Sequence, residues 1–346
     1  MGNLPVCEEK AVQSDNSSNS SYAYIYYDNY VYYGEETNEL PDSKKAIIYL
    51  AYQILPVIMA AVSFSGNSLI IITLMLKKNR VFSTSALFIS LAVADLIASV
   101  SGSFPAWLMD MIDVDINDLN IDIDCKMSPL FSNAGKFVSS IVLAAITIER
   151  TLAVYFPHKV KVLCNSFKVK VALFVVWTTC FGISIFISIQ YEPIISDGFF
   201  YCISSVSYFT AILIFSIEFL IPFIIIGVGS FAIIVRLYVR VDVTSKGKKR
   251  KTDMRNITFT LIIINIVFAV TKLPYFVHST VILIKESWKC EVLEPMDSYF
   301  WSTVSITMDD MNHVVNFFIY FLTGTQFRND VKYLLFNWIK KCRNKN

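Results

Sequence analysis

The sequence predicts an all-α membrane protein: a bundle of seven transmembrane helices followed by one amphipathic surface helix. Of its 346 residues, 55% are apolar and 17% charged, whereas soluble domains average about 45–50% apolar and about 25% charged. The apolar residues form blocks of roughly 20–30 residues, the length that a helix needs to cross a bilayer. Because lipid offers no partner for backbone groups, each block is interpreted as a helix.

Seven blocks meet this length requirement, and in chain order they cover residues 46–76, 83–109, 127–155, 168–190, 205–239, 256–284 and 298–322. The first and fifth exceed the bilayer thickness, so we expect them to tilt or project. Residues 325–341 differ, because Phe327, Val331 and Leu334 recur at helical spacing between basic residues. This pattern is typical of an amphipathic helix on a membrane surface.

The domains follow from these blocks. We expect residues 1–45 to be a disordered extracellular tail, residues 46–322 the seven-helix domain, and residues 323–346 the amphipathic helix and a short cytoplasmic tail. The connectors after spans one, three and five and the C-terminal tail carry 22 of the 30 basic residues. The positive-inside rule therefore predicts an external N-terminus and a cytoplasmic C-terminus. Asn16 and Asn19 begin glycosylation sequons on the predicted outer side, and we expect a plasma-membrane location.

Each span also carries a short motif. In chain order these are Gly66-Asn67, Asp95 in "LAVADL", Cys125 with Glu149-Arg150-Thr151, Trp177, Cys202 in the following loop, Pro222, Phe268 with Pro274, and Asn316 with Tyr320. Together they resemble the rhodopsin-like (class A) G-protein-coupled receptors over residues 46–341. Residues 149–170 also look loosely like the invertebrate FMRFamide-receptor-like neuropeptide receptors.

The resemblance implies roles for individual residues. Cys125 and Cys202 should form a disulfide on the oxidising side of the membrane. Glu149 and Arg150 should meet a heterotrimeric G protein, and Asn316 and Tyr320 should take part in activation. A polar pocket, which in many relatives holds sodium, should comprise Asn67, Asp95, Ser139, Asn312 and Asn316.

Three positions depart from the family pattern, the mildest being Glu149-Arg150-Thr151 in place of the usual Asp-Arg-Tyr. Phe317 replaces the proline that normally follows Asn316, which removes a source of helix kinking. Lys272 replaces a tryptophan two residues before Pro274. We hypothesise that the ammonium of Lys272 faces Asp95 and supplies the positive charge that sodium provides elsewhere. His313 is interpreted as a packed polar residue beside this pocket.

Besides Asp95, five charged residues lie well inside the predicted spans, namely Lys136, Glu218, Lys272, Asp309 and Asp310. Charges at mid-membrane cost at least ~2.5–3.5 kcal/mol each on insertion scales and face the bundle interior. They could form a structural network, with the lysines paired to Asp309, Asp310 or Asp95, or they could contact a charged ligand. Both interpretations stay open, and Ser132 and Tyr275 join the five as candidate ligand-binding residues.

Two residues that other receptor classes carry are absent here, and the predicted outer face is acidic; both observations limit the classes of ligand that we expect. Amine receptors carry an aspartate where Ser132 stands, and opsins a lysine where Asp310 stands, so neither biogenic amines nor retinal are expected. Residues 110–124 hold six aspartates and no base. This acidic outer face is either a solvated loop or a field that attracts a cationic peptide. A chemokine-like receptor is the alternative, because Cys7 and Cys290 could link the tail to the third outer loop.

Two other protein classes, a transporter or channel and an enzyme, explain the sequence less well. An ion transporter or channel could use the buried lysines and aspartates as an ion path, but the ordered motifs would then be unexplained. We do not expect an enzyme, because the three histidines suggest no catalytic or metal cluster. We expect no cofactor and no nucleic-acid partner. Cys342 suits palmitoylation, which would add to contacts with membrane lipids.

Overall fold

The computed structural model describes residues 22–25, 41–76, 82–102, 104–105, 121–196, 199–240, 248–288, 295–323, 327–334 and 336. Seven long helices lie in this part of the chain and are numbered here in chain order. Helix one consists of three consecutive segments, Asp42–Tyr49, Leu50–Ile54 and Leu55–Leu76. Helix two is Phe82–Ser101, helix three is Ile121–Tyr155 and helix four is Ser166–Ser188. Helix five again has three segments, Tyr208–Phe215, Ser216–Leu220 and Ile221–Arg240, while helix six is Lys248–Trp288 and helix seven is Pro295–Thr323. A short helix, Pro157–Leu163, joins helices three and four.

Helix three is at the centre of the bundle. It packs against helices two, four and five, while helix six packs against helix seven. Its residues 133–140 are all buried, including Asn133, Lys136 and Ser139. Gly135 allows a close approach to helix two, since a Cβ there would lie 2.6 Å from the backbone nitrogen of Ala98. Side chains near the middle of helix three therefore face other helices and not lipid.

Two π-helical segments interrupt the long helices, each just before a proline. Leu50–Ile54 precedes Pro56 in helix one, and Ser216–Leu220 precedes Pro222 in helix five. A proline removes one backbone donor and crowds the carbonyl four residues earlier. A π-turn absorbs this local mismatch, and such turns are frequent at functional sites. Glu218 lies inside the second segment.

A three-stranded antiparallel sheet lies near the end of the bundle that contains Cys125. β1 is Tyr22–Ile25, β2 is Tyr191–Ser196 and β3 is Phe199–Ser207, in the order β1-β3-β2. Ser196 pairs with Phe199, so two residues, Asp197-Gly198, connect β2 to β3. Asp-Gly between apolar runs is a strong hairpin signal, which explains why this segment is a hairpin.

The sheet corrects two sequence predictions. Residues 205–207 were assigned to the fifth span but belong to β3, and helix five begins at Tyr208. The tail was predicted to lack regular structure throughout 1–45, yet Tyr22–Ile25 is a strand and helix one begins at Asp42. Backbone hydrogen bonding to β3 orders the strand in a way that side-chain composition does not reveal.

Helices one, four, five and seven begin and end within about four residues of the predicted blocks, whereas helix three begins earlier, at Ile121, and helix six is longer, at Lys248–Trp288. Helix two was predicted to reach residue 109 but ends at Ser101, followed by a turn at Gly102. Glycine is the residue most often found just after a helix end. Six of the described helices are long and apolar enough to cross a membrane. Helix seven and the helical residues 327–334 stay predictions as a seventh span and a surface helix.

Candidate functional site

One connected chain of ion pairs joins five charged residues of the helices, namely Lys136, Glu218, Lys272, Asp309 and Asp310. Lys272 Nζ lies 2.6 Å from Glu218 Oε1 and 2.6 Å from Asp309 Oδ1. Lys136 Nζ lies 2.7 Å from Asp309 Oδ2 and 3.1 Å from Asp310 Oδ1. We call the series Glu218–Lys272–Asp309–Lys136–Asp310 the charge chain. It joins helices three, five, six and seven through alternating negative and positive groups.

The charge chain lies away from solvent. Lys272 and Asp309 are 0% exposed, Glu218 is 1%, and Lys136 and Asp310 are 7%. Three carboxylates face two ammonium groups, so the chain carries one excess negative charge when all five are ionised. An isolated buried charge is very costly, and mutual pairing within the bundle offsets that cost. Lys272 is therefore tolerated because carboxylates from helices five and seven contact it. The ion-pair interpretation named Asp309 as a partner but not Glu218.

Asp95 has a separate set of partners. Its Oδ1 accepts a hydrogen bond from Ser139 Oγ at 2.6 Å and contacts His313 Nδ1 at 2.8 Å, while its Oδ2 accepts from Asn316 Nδ2 at 2.8 Å. The expected neighbours Ser139 and Asn316 are thus confirmed as contacts of Asp95. His313 also lies in this pocket, as the sequence interpretation held.

The hypothesis that Lys272 faces Asp95 is wrong, and the hydrogen bonds of Asn312 and Asn67 go to groups other than the Asp95 carboxylate. Lys272 does not supply the positive charge beside Asp95, because Glu218 and Asp309 hold its ammonium. Asn312 donates to Thr271 Oγ1 at 2.8 Å, which links helix seven to helix six. Asn67 donates to Ser63 Oγ at 3.0 Å and to the His313 carbonyl at 3.4 Å, so it supports helix seven and does not bond the carboxylate.

Ser132 lies near Asp310 at one end of the charge chain, and Tyr275 lies three residues after Lys272 on helix six. Ser132 is half-buried on helix three, one turn from Lys136. A Cβ placed on Gly102 would lie 3.7 Å from Ser132 Oγ and 3.6 Å from Asp310 Oδ1, so both side chains adjoin the end of helix two. Tyr275 is half-buried and packs edge-on against Phe276, with ring centroids 5.4 Å apart.

The other end of helix three carries the predicted coupling residues. Glu149 Oε2 lies 3.2 Å from Arg150 Nε, and its Oε1 accepts from Thr84 Oγ1 at 2.7 Å. Thr84 was missed, since nothing in its sequence context marks it. Tyr155 donates to the Ala232 carbonyl at 2.9 Å, which joins helices three and five nearby. Tyr320 lies in helix seven.

Cys125 and Cys202 form the predicted disulfide, with their Cα atoms 5.6 Å apart. It ties helix three to β3, and Cys202 pairs in turn with Pro193 of β2. The second candidate pair, Cys7 and Cys290, lies outside the described residues, as do Asn16, Asn19 and Cys342. Those assignments stay predictions.

A bundle of long apolar helices with a charged interior, tied by a disulfide between helix three and β3, is typical of a protein that crosses a membrane several times. Residues 66–320 match the family described as "7 transmembrane receptor (rhodopsin family)". That match covers well over half of the chain, and the chain belongs to this family. The transporter, channel and enzyme alternatives are therefore not favoured.

Individual receptors that resemble the chain are 25–30% identical to it in sequence. Over 156 residues the chain is 25% identical to the thyrotropin-releasing hormone receptor of Bos taurus, covering 42% of this chain and 36% of that receptor. It is 26% identical over 301 residues to galanin receptor 2b of Danio rerio, covering 81% and 74%. It is 30% identical over 149 residues to a QRFP-like peptide receptor of Branchiostoma floridae, covering 42% and 37%. The match thus spans little more than a third of the thyrotropin-releasing hormone receptor.

Proposed function

We propose that this protein is a plasma-membrane receptor for an extracellular peptide that carries a cationic group, and that it signals through heterotrimeric G proteins. The observation that carries the proposal is the charge chain, which joins four helices and holds one more carboxylate than ammonium group. A ligand cation would balance that excess. The names of the thyrotropin-releasing hormone, galanin and QRFP-like receptors support a peptide ligand.

The charge chain also supplies a route for the signal. Lys272 of helix six is held by helices five and seven, and the adjacent Thr271 accepts from Asn312 of helix seven. A cation that binds one of the carboxylates weakens that carboxylate's pairing with a lysine. Helix six is then released from one set of contacts, and the ligand shifts the bundle toward the state that it binds better. Arg150, at the other end of helix three, is the proposed contact for the G protein.

The chemokine-like alternative is not favoured, because the relatives are named as thyrotropin-releasing hormone, galanin and QRFP-like receptors. Its sequence basis is the pair Cys7 and Cys290. Mapping of disulfides in the non-reduced protein distinguishes the two, because a Cys7–Cys290 bridge is expected only for the chemokine-like arrangement.

The test is a screen of a peptide library against cells that express the receptor together with a promiscuous G protein. We expect second-messenger responses to peptides with a free amine, lysine or arginine, and a loss of potency of about tenfold or more when that group is neutralised. The Arg150→Ala variant should bind the active peptide without signalling, which controls for responses of other receptors. Equal responses to neutralised peptides would refute the cationic ligand, and responses that persist in Arg150→Ala would refute coupling through Arg150.

A further inference from the structure

The side chain of His313 lies inside the Asp95 pocket, against the carboxylate itself. Its Nδ1 is 2.8 Å from Asp95 Oδ1, and the residue is 1% exposed. An ionised carboxylate only accepts hydrogen bonds, so the Nδ1 atom that faces it carries a proton. The backbone of His313 is held as well, because its carbonyl accepts from Asn67 Nδ2 at 3.4 Å. Helix two thus fixes the side chain of His313, and helix one fixes its backbone.

The buried carboxylate of Asp95 has three hydrogen-bond donors. Its Oδ1 accepts from Ser139 Oγ at 2.6 Å and from His313 Nδ1, and its Oδ2 accepts from Asn316 Nδ2 at 2.8 Å. Each carboxylate oxygen has about two acceptor sites, so both sites of Oδ1 are engaged. Asp95 is 0% exposed, and a buried polar group needs such partners. Side chains of helices three and seven therefore supply the partners of this carboxylate.

This arrangement does not suit a sodium ion, which many relatives hold in the corresponding pocket. Hard cations are bound by oxygen atoms whose lone pairs face the ion. Here an imidazole N–H faces Asp95 Oδ1, and its hydrogen carries positive charge on the side from which a cation would approach. A sodium ion could contact that oxygen only if the His313 side chain left its place.

We propose that the imidazole of His313 takes the place of sodium in this receptor, so that Asp95 binds no sodium ion while His313 is present. Lys272, which the sequence favoured for this role, is held by Glu218 and Asp309 instead. The tie between helices two and seven is then made of protein groups alone. The balance between receptor states therefore does not depend on the sodium concentration.

Thermal unfolding of the full-length receptor in detergent tests the proposal. The unfolding temperature is measured in sodium chloride and in N-methylglucamine chloride at the same concentration, so that general ionic screening is equal. An ion that binds only the folded state raises the unfolding temperature. We expect a difference below about 1 °C for the unmodified receptor. For His313→Ser, in which a hydroxyl oxygen replaces the imidazole, we expect sodium to raise the unfolding temperature by about 2 °C or more.

Two further variants show whether the effect belongs to the Asp95 pocket. His278→Ser is the matched control, because His278 is also a buried histidine of the bundle but is not a partner of Asp95. It should show no sodium effect. Adding Asp95→Asn to His313→Ser should abolish the effect, because the carboxylate supplies the charge that attracts the ion. The proposal is overturned by a sodium-insensitive His313→Ser, or by a sodium effect in the unmodified receptor that Asp95→Asn removes.

If His313→Ser does not fold, His313→Asn is measured in the same way, since its shorter side chain moves the donor away from Asp95 and offers a carbonyl oxygen. Once the library screen yields an active peptide, its affinity for the unmodified receptor should agree within about twofold in the two salts. A larger difference that depends on Asp95 contradicts the proposal. The unfolding measurements need neither peptide nor G protein, so failure of this inference is distinguishable from failure of the proposed function.

Discussion

Lys272 contacts one carboxylate on helix five and another on helix seven, and this arrangement determines the effect of replacing it. Removing the ammonium leaves Glu218 and Asp309 as close neighbours with less compensation. The net charge of the charge chain would change from one to two excess negative charges. The expected loss of stability arises because the remaining carboxylates are left without an ammonium partner, and not from the loss of the lysine itself.

We therefore predict that Lys272→Met destabilises the receptor by about 3–5 kcal/mol. Adding Glu218→Gln restores the original net charge of the charge chain, so the double variant should recover about 0.5–3 kcal/mol of that loss. Thermal unfolding of the detergent-solubilised receptor measures both effects, with Glu218→Gln alone completing the cycle. If the two single effects simply add, then Glu218 and Lys272 are not coupled.

A second residue-scale prediction concerns Cys164, which follows the short helix Pro157–Leu163. Burial and the Glu149 carboxylate raise the pKa of its thiol, and Lys168 lowers it in part. The thiolate is the reactive form, so alkylation at neutral pH should be slow and should rise with pH into the alkaline range.

Glu149→Gln should speed alkylation of Cys164 by iodoacetamide at pH 7.5, since it removes one cause that raises the pKa. Lys168→Gln should slow it, since it removes the cause that lowers the pKa. A few-fold change in each direction is expected, because about one pKa unit changes the thiolate fraction about tenfold. Mass spectrometry of the Cys164 peptide measures the rates, and the same direction of change in both variants would contradict this electrostatic explanation.

At the scale of elements, the sequence predicted most of the helices but not the sheet. Long apolar blocks identify helices well, because lipid leaves few alternatives. β1 pairs with β3, which lies some 180 residues further along the chain, and a local sequence pattern does not report a pairing over that distance. Asp197-Gly198 between β2 and β3 is a hairpin signal, but the hairpin was not among the predicted elements. Likewise, the composition required acids around Lys272 but could not assign Glu218 and Asp309 in preference to Asp95.

Helix seven has a packing feature that sequence reasoning also missed. Phe317, which replaces the family's proline, lies against Gly66 of helix one, where an added Cβ would be 2.5 Å from the ring. Its ring also neighbours Phe321 and Phe327, with centroids 5.9 and 6.5 Å away. The phenylalanine thus joins helix one, helix seven and the helical residues 327–334, so it adds contacts as well as removing a proline.

The pairing of β1 with β3 gives a prediction for the tail. Ala23 is directly opposite Val206, and directly opposed antiparallel residues have Cα atoms about 4.5–5.5 Å apart. That distance suits a disulfide. The double variant Ala23→Cys, Val206→Cys should therefore form a new disulfide in most molecules, detectable by mass spectrometry of the non-reduced protein.

A matched control moves one cysteine by two residues along β3. In Ala23→Cys, Ser204→Cys the two positions are out of register, and the separation becomes too long for a disulfide. We expect bridging only in the first variant. Similar bridging in both would mean that the tail does not hold this register.

At the scale of the whole molecule, the distribution of charge predicts orientation. The connectors after spans one, three and five and the C-terminal tail hold 22 of the 30 basic residues. Moving lysines and arginines across a membrane is unfavourable, so these segments should stay in the cytoplasm. The disulfide between Cys125 and Cys202 joins segments assigned to the opposite, oxidising side, which agrees with this orientation.

The prediction is that an epitope tag before Met1 binds antibody on intact cells, while a tag after Asn346 binds only after permeabilisation. Because basic residues close to span ends have the strongest influence, neutralising Lys77, Lys78 and Arg80 together should raise the fraction of inverted molecules. Neutralising Lys10, Lys44 and Lys45, which lie on the predicted outer side, is the matched control and should not raise it. Flow cytometry gives the ratio of the two tags on unpermeabilised cells. Staining of the C-terminal tag on intact cells of the unmodified receptor would reverse the assignment of both faces, and with it the side from which a ligand reaches the charge chain.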